Sequence, residues 1–161
     1  MDFLEFHRTF EENLSNLRLP KDCILREPDW LPLHVPLSWQ VDVVLEFQDG
    51  NHIHIWESHD RYAKLTLCRR VSWGYHYGPI TATDERGYAA QGAAGDPLEI
   101  RIDTCGGHPH LHYLQREPHY SQDQISGLKI DSIYPIDFIK AVFKKRRTNK
   151  TFAQIMGFKL S

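Results

Sequence analysis

The sequence has few cysteines, and they lie far apart. Cys23, Cys68 and Cys105 are the only three, and no two form a Cys-x-x-Cys pair. Small disulfide-stapled secreted domains and zinc ribbons depend on such pairs. The sequence therefore argues against a disulfide framework and against a zinc ribbon, and it predicts a protein of the reducing cytoplasm.

Long apolar runs and a strong charge of one sign are also absent. No stretch approaches the roughly 20 apolar residues of a transmembrane helix, and the first residues lack the basic and apolar regions of a signal peptide. We therefore expect no membrane partner. The net charge is -2 at pH 7, so binding to nucleic acid would require a local basic patch.

Hydrophobic spacing predicts an α+β fold within a single domain, residues 1–161. Apolar residues recur every three or four positions over residues 2–17 and again after Pro135 and Thr151, as in amphipathic helices. Alternating apolar residues predict strands at 39–47, 51–57, 62–77 and 98–103. Strands so close in sequence pair antiparallel. We expect an antiparallel β-sheet meander covered on one face by N- and C-terminal helices.

Three segments are predicted to lie outside this regular structure. Residues 20–37 contain four prolines and predict an extended connector across the domain surface. Residues 81–97 are rich in small residues and predict a mobile loop. Residues 117–130 predict a loop or one short turn.

Closely spaced histidines are the main candidates for chemistry. Ten histidines are present, and three of them stand two residues apart, at His108, His110 and His112. Alternate side chains of an extended chain share one face, so three imidazoles would line one side of a short strand. Groups that titrate near neutral pH suit proton transfer, and we expect His110 and His112 to carry protons. Arg101 would stabilise an anionic transition state, and Asp103 would orient a histidine.

A metal site is an alternative use of the same residues. Histidines and Asp103 offer ligands that a divalent metal accepts. Neighbouring same-face residues on a strand lie about 7 Å apart, so two imidazoles can share an ion but three in a row fit one poorly. A second candidate set joins the pair His52 and His54 to His110 and His112. The competing interpretation of that pair turns the intervening isoleucines toward the core and both histidines toward water.

Tyr75 and His76 close a predicted strand shortly before Pro79. A tyrosine and a histidine at a strand end can orient a phosphate or act as acid and base. Packed aromatic residues with a histidine at the rim would explain the same pattern.

A basic run follows the predicted helix that begins at Pro135. Its cations are Lys144, Lys145, Arg146, Arg147 and Lys150. Positive charge favours a helix C-terminus, but five cations in seven residues exceed what a cap requires. The density suits a phosphate backbone, and a solvated, solubilising helix end is the alternative.

The order of these motifs resembles the TumE-type toxins of bacterial toxin–antitoxin pairs, over residues 65–145. The resemblance rests on a tyrosine- and histidine-bearing strand, an Arg-x-Asp segment and histidines next to a proline. The family's Asp-Asn-Ala-Pro-His-His run is replaced by Asp-Thr-Cys-Gly-Gly-His at 103–108. The matching positions are Tyr75, His76, Arg101, Asp103, His108, His110 and His112.

The resemblance implies a growth-inhibiting toxin that acts on RNA or the translation machinery and is neutralised by an antitoxin protein. Together with the residue chemistry, it leads to one hypothesis: a metal-independent, acid–base ribonuclease of a toxin–antitoxin or phage-defence system, with no cofactor. Two alternatives stay open. One is a histidine-ligated enzyme that depends on a divalent metal, and the other is a non-catalytic binding module such as an inhibitor or adaptor.

Overall fold

The computed structural model describes residues 3–32, 38–61, 68–79, 100–104, 107–113 and 120–161. The helices are α1 (Phe3–Ser15), α2 (Pro135–Arg147) and α3 (Phe152–Met156). The strands are β1 (Cys23–Leu25), β2 (Asp29–Pro32), β3 (Ser38–Phe47), β4 (Asn51–Arg61), β5 (Cys68–Pro79), β6 (Ile100–Asp103), β7 (His110–Tyr113), β8 (Tyr120–Ser121), β9 (Ile125–Ser126) and β10 (Lys159–Leu160). Short 3-10 turns lie at Gln122–Gln124 and Ile130–Ser132.

The main sheet follows chain order from β3 to β8. Its strand order is β1-β3-β4-β5-β6-β7-β8, with β2 also paired to β3, and each pairing is antiparallel. A second small sheet joins β9 to β10. The structure confirms the predicted α+β class and the antiparallel meander.

One face of the main sheet carries the hydrophobic core. Alternate residues of β3, β4 and β5 supply it, among them the fully buried Val43, Ile55 and Tyr75. The helices pack on this face. The ring of Phe138 in α2 lies 5.6 Å from that of Tyr75, and α1 contributes Phe10 to the same core. The predicted cover of N- and C-terminal helices is confirmed.

Local signals set the ends of the C-terminal helices. Pro135 occupies the first turn of α2, where its missing N–H would have no helical partner. The Thr151 hydroxyl accepts a hydrogen bond from the backbone N–H of Gln154 at 3.2 Å, and the Gln154 side-chain oxygen accepts one from the Thr151 N–H at 2.9 Å, so the two residues form a capping box at the start of α3. Gly157, with φ of 77°, ends that helix in the left-handed conformation that glycine adopts without strain.

The proline-rich connector is more ordered than predicted. Its described part, up to Pro32, contributes β1 and β2, and both pair with β3. Trp30 in β2 packs edge-on against Phe10 of α1 at 5.7 Å and donates from Nε1 to Glu11 at 2.8 Å. The connector therefore joins α1 to the sheet edge. Prediction from propensity missed these strands because prolines stand close to both.

Val71 departs from the predicted alternation. The run 62–77 places it on the apolar side, but its side chain is 52% exposed. The reason is a bulge: Ser58 pairs with Ser72 whereas His59 pairs with Arg70, so Val71 has no partner on β4. The segments 62–67 and 81–97 lie outside the described residues, and so do 117–119. Residues 120–130, predicted as loop or turn, contribute β8 and β9.

Arg146 fastens the end of α2 to the sheet. Its guanidinium lies 3.9 Å from the centroid of the Phe47 ring and donates to Asp49 and Asp22 at 2.8 Å and to the Tyr77 hydroxyl at 3.0 Å. This residue belongs to the basic run predicted to hold a phosphate backbone. In the structure its hydrogen bonds are made to the protein itself.

We predict that Arg146→Ala lowers the free energy of unfolding by about 1–2 kcal/mol, because it removes charge-assisted hydrogen bonds to half-exposed partners. The exposed neighbour Arg147 provides a charge-matched control, and Arg147→Ala is expected to change stability by less than about 0.5 kcal/mol. Urea unfolding of both variants tests this. Equal effects would contradict a specific role for Arg146.

Candidate active site

The face of the sheet opposite the helices carries the histidines. We call it the histidine face, and its members are Asp42, His52, His54, His76, Arg101, Asp103, His110 and His112. Cross-strand register brings them together, because His54 lies opposite His76, His76 opposite Arg101, and Arg101 opposite His112. Residues directly opposite on antiparallel strands have side chains on the same face. Four strands therefore contribute one continuous polar row.

The edge of this face holds four residues in mutual contact, Arg101, Asp103, His110 and His112, which we call the β6–β7 cluster. Arg101 Nε lies 2.5 Å from Asp103 Oδ2, and its Nη2 lies 3.1 Å from His112 Nε2. His110 Nε2 lies 2.9 Å from Asp103 Oδ1. The two imidazole rings lie 4.9 Å apart between centroids. The sequence predicted these four residues as a group, and the structure places them together.

Hydrogen-bond partners distinguish the two histidines of the cluster. A guanidinium can only donate, so the His112 Nε2 beside Arg101 is an acceptor and carries no proton. His110 lies between two acceptors, with Nδ1 2.9 Å from the His108 carbonyl oxygen and Nε2 beside the Asp103 carboxylate. Each of its ring nitrogens therefore faces an acceptor oxygen to which an N–H can donate. The cluster therefore pairs a proton acceptor with a proton donor.

The indole ring of Trp56 lies over Gly74, which adjoins the cluster in the sheet register. Gly74 lies opposite both Trp56 and Asp103 in the sheet register. A Cβ on Gly74 would come within 2.3 Å of the Trp56 indole nitrogen, so the ring lies across the space that a side chain would fill. The Trp56 ring therefore covers the position on β5 that lies between Trp56 and Asp103 in the sheet.

A buried group lies further along the same face. Asp42 and His54, with side chains 1% and 3% exposed, contact each other at 2.9 Å between Oδ1 and Nε2. The second carboxylate oxygen of Asp42 accepts from Gln40 at 2.8 Å. A buried carboxylate is tolerated because both oxygens have donors. The Asp42 carboxylate therefore holds the His54 ring with a proton on Nε2.

His52 and His76 are buried in their neutral form. Their rings lie 5.0 Å apart, and neither nitrogen of His76 has a hydrogen-bond partner among the described residues. Burial, together with repulsion from His52, His54 and Arg101, lowers the pKa of His76 to about 3. Burial and His54 lower the pKa of His52 to about 4, against a smaller opposite effect of the Gly78 backbone. Both rings are therefore uncharged at neutral pH.

Two predictions about the earlier histidine pair are corrected here. His52 and His54 do not face water, since they are 1% and 3% exposed. They also do not join the later histidines as a metal set. Among the described residues, the group with metal-ligand spacing is Asp103, His110 and His112, whose ligand atoms lie within 4.8 Å of one another.

His108 and Tyr75 do not join the cluster through their side chains. β7 begins at His110, so His108 precedes the strand with an exposed side chain, and only its carbonyl contacts the site. Tyr75 lies on the helix-covered face, where its hydroxyl donates to Glu57. Burial and the charge of Glu57 hold the pKa of Tyr75 well above its usual range, so the phenol stays protonated. The pairing of Tyr75 with His76 is therefore wrong, because consecutive strand residues point to opposite faces.

The basic run is separated from the cluster by the sheet. It ends α2, which packs on the apolar face, whereas the cluster lies on the histidine face. Lys144, Arg147 and Lys150 are exposed. RNA held by these side chains would lie on the wrong side of the sheet for His110 and His112, so we assign the run no role in the candidate site.

Sequence inspection missed Asp42, and it did not group Glu57 and His59 with Arg70. Asp42 interrupts an apolar strand between Val41 and Val43, and a charge in such a position is a usable signal of a paired buried group. The group around Glu57 gives no comparable signal. A strand bulge brings its members together, and bulges are not readable from residue types alone.

Comparisons with known proteins identify no relative. No family model, no curated protein and no solved structure matches this chain. Among the described residues, no helix combines the length and the hydropathy needed to cross a membrane. The functional argument therefore depends on the geometry and chemistry of the histidine face.

We predict that stability falls on acidification because of His52 and His76. An unfolded histidine takes up its proton near pH 6.5, whereas the folded pKa values are about 4 and about 3. The stability that the two neutral rings contribute is therefore fully present above pH 6.5. It declines as the pH falls from there toward 4, by up to about 1.4 kcal/mol per pH unit for each ring.

Urea unfolding at several pH values between 7 and 4.5 measures this decline. His76→Gln is expected to reduce the slope by about half, since one of the two rings no longer titrates. His108→Asn changes an exposed histidine and is expected to leave the slope as it is. An identical slope in His76→Gln would show that His76 is not buried as a neutral ring.

Proposed function

We propose that the protein is a metal-independent ribonuclease whose β6–β7 cluster cleaves RNA by acid–base catalysis. One observation carries the proposal. A histidine held with an unprotonated nitrogen and a histidine held between two acceptors lie 4.9 Å apart, with an arginine in contact with the first. Transesterification at the 2'-hydroxyl needs a base, an acid and a cation near the phosphate.

His112 is the base in this mechanism. Its Nε2 removes the proton of the 2'-hydroxyl, and the 2'-oxygen forms a bond to phosphorus. His110 is the acid, and it gives a proton to the 5'-oxygen as the bond between that oxygen and phosphorus breaks. The products are a 2',3'-cyclic phosphate and a free 5'-hydroxyl. His112 has gained one proton and His110 has lost one, so the number of protons is conserved.

Arg101 and Asp103 prepare this step. When a phosphate binds, the Arg101 guanidinium can turn its Nη2 donor from His112 Nε2 to a phosphate oxygen, which frees the lone pair that accepts the proton. The same guanidinium stabilises the charge that develops on the phosphorane. Asp103 contacts Arg101 and His110 at once, so it is a positioning residue for both.

The biological setting is part of the proposal. The resemblance of residues 65–145 to TumE-type toxins favours a toxin that acts on RNA in the cytoplasm and is neutralised by an antitoxin protein. Unchecked RNA cleavage would arrest growth, so an enzyme of this kind requires a partner that blocks its site.

We predict that His110→Ala and His112→Ala each lower RNA cleavage by about 10²–10⁴-fold, the usual contribution of a general acid or base. Cleavage of an oligoribonucleotide in the presence of EDTA measures this, with identification of the cyclic phosphate end. His7→Ala, on α1 and therefore behind the opposite face, is the matched control and is expected to cleave as the wild type does. Full activity in both cluster variants, or cleavage of an all-deoxy strand, would refute the proposal.

A metal-dependent enzyme is the second candidate, favoured by the ligand spacing of Asp103, His110 and His112. Arg101 argues against it, because its cation contacts Asp103 and His112 and would repel a divalent ion. We predict that Arg101→Met increases Zn²⁺ affinity at least about tenfold, which corresponds to about 1.4 kcal/mol. Calorimetric titration of both proteins measures the change. Tight Zn²⁺ binding by the wild type, with activity lost on chelation and restored by metal, would favour the metal enzyme instead.

A further inference from the structure

A cleft of about 900 Å³ opens on the helix-covered side of the molecule. We call it the aromatic cleft, and the residues that define it are Phe6, His59, Arg70, Trp73 and Tyr134. The mechanism proposed above uses none of them. We propose that the aromatic cleft binds a base of the RNA substrate next to the cleaved phosphate, an inference that rests on the proposed ribonuclease function.

The exposed ring of Tyr134 offers a planar surface for stacking, and Arg70 lies between it and the Trp73 ring, which is only 3% exposed. The Arg70 guanidinium lies 4.5 Å from the centroid of the Trp73 ring and 4.7 Å from that of Tyr134. Single-stranded RNA is recognised by bases that stack on aromatic rings and on arginine planes. Tyr134 is 57% exposed, so its ring is accessible from solvent.

Arg70 is held rigidly in this position. Its Nη1 donates to the Tyr75 hydroxyl at 2.6 Å and to the Ile133 carbonyl at 2.8 Å, and its Nη2 donates to the Asp131 carbonyl at 2.8 Å. These contacts leave the guanidinium plane fixed before any ligand arrives. A preformed surface reduces the entropy that a bound base must lose.

Charge in the cleft favours a base over a phosphate. The Arg70 cation lies 3.5 Å from the buried carboxylate of Glu57, so the two charges offset each other. Asp131 adds an exposed carboxylate to the lining. A phosphate would meet a second negative charge there, whereas an uncharged base would not.

His59 provides a polar contact for the base edge. It is 4% exposed, and its Nε2 donates to Glu57 at 2.8 Å. The tautomer therefore leaves Nδ1 as an acceptor, and Nδ1 has no hydrogen-bond partner among the described residues. An unsatisfied buried acceptor destabilises the free protein. A base that donates an N–H to this nitrogen would remove that destabilisation.

The segment between β6 and β7 links the aromatic cleft to the β6–β7 cluster. Thr104 and Pro109 line the cleft, and they directly adjoin Asp103 and His110 of the cluster. Adjacent Cα atoms are about 3.8 Å apart. The cleft therefore reaches the end of the sheet where β6 leads into β7. In this proposal the RNA strand passes around that end, from the phosphate at the cluster on the histidine face to the base in the cleft on the helix-covered face.

Nucleoside binding tests the cleft without any cleavage. Calorimetry on the full chain would compare adenosine with N6,N6-dimethyladenosine and uridine with 3-methyluridine, since each methylated analogue lacks the donor N–H. We expect saturable binding of the parent nucleosides and at least tenfold weaker binding of the analogues. His59→Gln keeps a donor near Glu57 but lacks the Nδ1 acceptor, so it is expected to bind parent and analogue equally.

Tyr134→Leu gives a second variant that does not disturb a buried site. It removes a stacking surface and is expected to weaken nucleoside binding at least fivefold, within the range measured for base–aromatic stacking. Ile24→Ala truncates an apolar residue that is 65% exposed on β1 and is expected to bind as the wild type does. No saturable binding of any nucleoside, or equal binding of the methylated analogues to the wild type, would overturn the proposal.

His110→Ala separates this inference from the ribonuclease proposal. If His110→Ala and the wild type bind nucleosides equally and neither of them cleaves RNA, the cleft is a nucleobase site and the ribonuclease assignment fails. If the wild type cleaves RNA and Tyr134→Leu leaves its base preference unchanged, the cleft is not a subsite of that reaction.

Discussion

Antiparallel register across the central meander is the constraint on which the candidate site depends. Each strand from β4 to β7 places alternate residues on opposite faces, and the pairing between strands decides which of them meet. Arg101 lies between His76 and His112 only because β6 pairs with β5 and β7 in this register. A slip of one residue on β6 would send Arg101 and Asp103 into the apolar core, where both charges would lose their partners.

The same constraint explains why the histidine face contains both satisfied and unsatisfied rings. His54 and His110 have carboxylate partners at 2.9 Å, whereas His76 has none among the described residues. A buried ring of that kind destabilises the fold unless it stays neutral. The face therefore combines polar groups that could act on a ligand with groups that limit the range of pH over which the fold is stable.

Much of the fold was predictable, and so were the members of the β6–β7 cluster. Residues spaced by two on a predicted strand share a face wherever the strand runs, so Arg101 with Asp103 and His110 with His112 could be grouped in advance. His108 could not be excluded, because the start of β7 depends on pairing with Asp103. Burial of His52 and His54 was missed because alternation separates two faces without saying which of them meets solvent.

The amino-acid sequence by itself determined the periodicities: the helical stripes, the alternating strands and the concentration of titratable groups near residue 110. Tertiary structure alone decided the partners. It paired Asp42 with His54, used Arg146 to fasten α2 to the sheet, and placed Glu57, His59 and Arg70 beside the aromatic cleft through a strand bulge. The physical reason is the separation along the chain of the residues involved. Periodicity reflects local backbone geometry, whereas partners distant in sequence meet only when strand pairing and burial are settled for the whole chain.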